Sequence, residues 1–81
     1  MDANAKYTAK ELASWFADPV WAARFPPLLT PDQAAELCQV PKQTIYDWSS
    51  RGLLDHCKSR LGKRVLFARQ RLLELIVNEK L

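Results

Sequence analysis

Apolar residues fall along the chain in short periodic runs, each opened by its own start signal. Leu12, Trp15 and Phe16 recur at helical spacing behind Thr8 and Glu11, a pairing in which hydroxyl and carboxylate each satisfy a free backbone amide at a helix start. The spacing predicts a first helix from Ala9 to about Ala17. Asp18-Pro19 then supplies a second cap and a first-turn proline for a short helix through Phe25, which Pro26 and Pro27 stop. Leu28 and Leu29 lead into Thr30-Pro31-Asp32-Gln33, which repeats the Thr cap, the proline and a reciprocal Gln. A helix is therefore expected from Pro31 to about Cys38.

Gln39 and Val40 leave a very short turn before Pro41 opens the next helix, in the stretch VPKQTIYDWSSRG. That helix ends at Gly52, the residue best able to turn left-handed past a helix end. Ile45 and Trp48, three apart, face the same way and are expected to pack on Ala35 and Leu37. Lys42, Gln43, Thr44, Tyr46, Asp47, Ser50 and Arg51 cover the remaining surface. So short a connection fits a roughly perpendicular helix-turn-helix rather than a hairpin of helices. Past Leu53 and Leu54 the period changes. HCKSRLGKRVLF has basic residues on both sides of Gly62 and then alternating Val65 and Phe67, which predicts two short strands joined at Leu61-Gly62-Lys63. A last helix, about Ala68 to Asn78, turns Leu72, Leu75, Ile76 and, at the edge, Leu73 inward.

Composition narrows this picture. At 81 residues the chain has room for one small domain, and 48% hydrophobic content with two glycines argues for an ordered helical protein, so that with the pattern above the expected fold is mainly α with a small β-hairpin. The expected division is an N-terminal helical extension (1–27), a helix-turn-helix (28–54), a β-hairpin wing (55–67) and a C-terminal helix (68–81). No apolar run approaches the ~18 residues of a membrane span. MDANAKYTAKEL lacks the apolar core of a secretory signal, so a cytoplasmic setting is expected, with Cys38 and Cys57 reduced. Charge is unevenly placed. Residues 1–41 hold three basic and five acidic side chains, residues 42–71 eight basic and two acidic, and the last ten are net −1.

LTPDQAAELCQVPKQTIYDWSSRGLLDHCKSRLGKRVLFARQRLLELI resembles the small winged helix-turn-helix of phage excisionases and related recombination directionality factors, within the wider group of MerR-like DNA-binding domains. The likeness rests on Thr30, Ala35 and Leu37, Val40 in the turn, Thr44, Ile45 and Trp48, then Arg51-Gly52-Leu53 and the basic wing before Val65. Three positions depart from the pattern. Gln39 stands where the family usually has Gly, Pro41 replaces a Ser or Thr cap, and Phe67-Ala68 lacks the usual Pro or Ser cap before the last helix. The first departure predicts a slightly reshaped turn, and the first 27 residues lie outside the resemblance.

The resemblance implies a prokaryotic or phage-like, nucleoid-associated protein whose partner is double-stranded DNA. Further implied partners are a site-specific integrase and a second copy on adjacent sites. The second helix would enter the major groove, whose base edges carry distinct hydrogen-bond patterns. Gln43 would then suit adenine, Lys42 guanine or a phosphate, and Thr44 lies at the same end. Tyr46 and Arg51 would hold the backbone, and the wing with Lys58, Arg60, Lys63 and Arg64 would reach the minor groove or its phosphates. Taken alone, a polar helix face of this kind is more often a solvated surface, and Asp47 opposes approach to phosphate. His56 beside Cys57 has no second pair at ligand spacing, so no metal is expected. No nucleophile with base and orienter, no phosphate loop and no effector segment point to catalysis, a cofactor or a small-molecule effector. Tyr7, Trp15, Phe16, Trp21 and Phe25 have two open readings, a cover over the core or a docking patch for a partner. A small transcriptional regulator with the same domain and a protein-interaction module are the alternative functions.

Overall fold

The computed structural model describes residues 7–78. Helix α1, Ala9–Ser14, opens on the expected Thr8–Glu11 capping box and tightens into a 3-10 turn over Trp15–Ala17. Helix α2, Pro19–Arg24, starts from the Asp18 carboxylate, which accepts from the Val20 amide at 2.9 Å. Strand β1, Leu28–Leu29, follows, then α3, Pro31–Cys38, on the Thr30–Gln33 capping box. Helix α4 spans Lys42–Ser50, strands β2 and β3 span Lys58–Leu61 and Arg64–Ala68, and α5 spans Arg69–Val77.

The hairpin expected from the sequence is part of a three-stranded antiparallel sheet in the order β1-β3-β2. Leu28 and Leu29, read as a lead-in to α3, pair with Ala68 and Phe67. Two residues carry no period, so this strand had no signal of its own. It exists because β3 offers a free edge. The turn is also shorter than expected: Leu61 belongs to β2 and opposes Arg64, leaving Gly62 and Lys63 as a two-residue loop. Only Gly62 of this pair has positive φ, +63°, the pattern of a type II′ hairpin turn.

Leu29, Ala34, Ala35, Ile45, Leu54, Cys57, Phe67, Leu72, Leu73 and Leu75 form one buried cluster, joined from the N-terminal extension by Leu12, Phe16 and Phe25. The extension is held by more than apolar contact. Arg69 donates from Nη1 to the Phe25 carbonyl at 2.7 Å, and its guanidinium lies 3.8 Å from the centre of the Phe16 ring. Burial lowers its pKa, and its Nε, enclosed without a partner among the described residues, shows how far this cation has been drawn inward. Tyr7, Trp15, Val20 and Trp21 stay exposed. Phe16 and Phe25 thus cover the core, while both tryptophans stay outside it, Trp21 packing edge-on against Phe16.

Candidate nucleic-acid interface

Two left-handed residues set the position of α4. Past α3, Gln39 adopts φ 57°, ψ 44°, and the helix closes with its amide bonding the Glu36 carbonyl and the Val40 amide bonding that of Ala35. Past α4, Gly52 at φ +78° does the same, with its amide on Ser49 and the Leu53 amide on Trp48. Both are Schellman closures. At the position where the family usually has glycine, Gln39 takes the left-handed conformation with its side chain in place. Pro41 precedes α4 and gives no side-chain cap, as expected.

Ile45 is fully buried and Trp48 half-buried against the core, which fixes the rotation of α4 about its axis. Lys42, Gln43, Tyr46 and Arg51 are exposed as a result, and Thr44 is half-buried. Several of these polar groups already have partners. Lys42 reaches Asp32 at 3.1 Å and lies over the Tyr46 ring at 5.6 Å; the Asp32 carboxylate, and behind it Tyr46, raise its pKa and keep it charged. Arg51 pairs with Asp47 at 3.4 Å, so the carboxylate that opposed phosphate is screened one turn away. Gln43 makes no side-chain hydrogen bond among the described residues.

Lys58, at the base of the wing, contacts Ser49 Oγ at 3.3 Å and Asp55 at 3.5 Å, which joins the wing to the last turn of α4. Arg60, Lys63 and Arg64 are exposed and have no ion pair among the described residues. Arg60 and Val65 line a shallow open groove with Lys58, about 380 Å³ in volume. The wing base thus touches the last turn of α4; the helix carries paired cations, and those at the wing tip have no ion pair among the described residues. The spacing of Asp47 and Arg51 already held their pairing. The Asp32–Lys42 and Lys58–Ser49 links had no such signal, because each depends on how two elements meet.

The remaining chemistry of the chain lies elsewhere. Cys38 and Cys57 are free thiols, raised by burial to about 12 and about 11. His56 is exposed, its Nδ1 3.9 Å from Cys57 Sγ. Among the described residues no group of His, Cys, Asp and Glu is placed to hold a metal, and no helix is long and apolar enough to cross a membrane. In comparisons with curated proteins and with solved structures nothing matches. A family model described as a helix-turn-helix domain matches residues 28–78, from β1 to the end of α5.

Proposed function

Because the chain belongs to this helix-turn-helix domain family, which is associated with excisionase-like DNA-binding proteins, we propose that it binds double-stranded DNA sequence-specifically and without catalysis. The observation that carries the reading is the exposed polar face of α4, with the wing base bonded to its last turn and Arg60, Lys63 and Arg64 exposed without ion pairs among the described residues. A helix presented this way fits the major groove, and a basic hairpin beside it reaches the flanking backbone. In this reading Gln43 and Lys42 approach base edges with Thr44 beside them. Tyr46, Arg51 and Lys58 hold phosphates next to the helix, and Arg60, Lys63 and Arg64 hold the adjoining groove. To reach DNA, Lys42 exchanges its Asp32 partner for a base or phosphate.

The experiment is duplex binding across a salt series. The parent chain binds with a linear fall of log affinity against log salt, and replacing Arg60, Lys63 and Arg64 together by Ala flattens the slope by up to ~0.9 for each phosphate left without its cation. Undetectable binding at low salt, or an unchanged slope, overturns the proposal.

At a finer level the resemblance of residues 28–78 supports an accessory factor of site-specific recombination, acting beside an integrase and a second copy of itself. A neighbouring integrase gene supports this role; a divergently transcribed operon favours the transcriptional regulator instead. The exposed Val20 and Trp21, outside the matched segment, favour a protein partner in addition to DNA.

A further inference from the structure

The wing tip carries a side chain that its charge does not explain. Leu61 is 66% exposed, beside Arg60, Lys63 and Arg64. It opposes Arg64 across the hairpin, one position on from the pair Arg60 and Val65. Successive residues of a strand point to opposite faces, so Leu61 lies on the face away from Val65 and Phe67, which pack on the core. The tip also stands clear of the body: a methyl group at Gly62 would meet no atom within 4 Å. Leu61 keeps 66% of its surface exposed, although it shares its face of the hairpin with Leu66, which is buried.

We propose that Leu61 is an apolar wedge that enters the minor groove and parts a base step while the three surrounding cations hold the phosphates on either side. This rests on the duplex-binding reading. Apolar side chains inserted in this way unstack the step and kink the duplex, and flexible pyrimidine–purine steps yield most easily. Leu61 would then give the protein a preference at a position where it makes no base-specific hydrogen bond.

The test compares a short alternating A·T duplex, rich in TA steps, with a stiff oligo(dA)·oligo(dT) duplex, both carrying 2-aminopurine in place of some adenines and a dye at each end. The expected result with the parent chain at low salt is a rise in 2-aminopurine fluorescence and a kink of about 20° or more, read as closer ends, on the alternating duplex only. Leu61→Ala lowers affinity for that duplex and abolishes both signals. It keeps the parent's salt slope, since no cation is removed, and its melting curve reports that the fold is intact. Equal unstacking by the parent and Leu61→Ala, or binding by the parent with no unstacking, overturns the wedge alone. No binding of either duplex by the parent overturns the duplex-binding reading and the wedge with it.

Discussion

Replacing Gln39 by Gly removes a cost built into the turn that sets α4. At φ 57° and ψ 44° the Gln39 backbone occupies the left-handed region, where a side chain crowds the carbonyl and costs about 1–2 kcal/mol. Its side chain is exposed and makes no hydrogen bond among the described residues, so truncation loses little packing. Glycine avoids the crowding but has more freedom to lose on folding, an offset of about 0.4–1 kcal/mol. The difference predicts that Gln39→Gly stabilises the protein by roughly 0.5–1 kcal/mol. For a chain of this size that raises the melting temperature by about 2–8 °C. Thermal and urea unfolding of the parent, Gln39→Gly and Gln39→Ala measure it. Alanine keeps a Cβ and therefore the crowding, so Gln39→Ala should stay near the parent. No gain in Gln39→Gly, or an equal gain in Gln39→Ala, would refute this reasoning; in the second case the benefit would come from losing the side chain rather than from relaxing the backbone.

Leu12→Ala should cost about 2–5 kcal/mol in urea unfolding despite lying outside the helix-turn-helix, because Leu12 is fully buried in the shared core; a loss below ~0.5 kcal/mol would mean that the extension is only loosely attached. On selected duplexes Gln43→Ala and Lys42→Ala should each relax preference at one base pair by ~1–3 kcal/mol, and an equal loss on every sequence would make them phosphate contacts. Both thiols have pKa values raised in the fold, so the folded chain keeps protons that the unfolded chain releases. Their contribution is fully present below about 9, the ordinary thiol value, and is lost as pH rises toward about 11 and then about 12. Urea unfolding across that window should show stability falling, and Cys57→Ala should make the fall shallower.

The local features of this chain were written in local chemistry. Thr8–Glu11, Asp18-Pro19 and Thr30–Gln33 start three helices through hydrogen bonds between residues two or three apart, and Gly52 and Gly62 supply the backbone freedom for two of the turns. Such signals act within one turn of chain and need no fold around them. The inward face of α4 was legible for the same reason, since Ile45 and Trp48 follow the helical period. Tertiary structure decided what depends on two distant segments meeting. Leu28 and Leu29 became a strand because β3 lay beside them, and Gln39 became left-handed because the packing of α4 on α3 outweighs the local cost of a side chain there. The charges were divided by both. Among the described residues Lys42, Arg51 and Lys58 have carboxylate partners while Arg60, Lys63 and Arg64 have none, and Leu61 stays exposed among them. Sequence spacing already held the local pairs Asp47–Arg51 and Asp55–Lys58; only the folded chain brought Asp32 to Lys42.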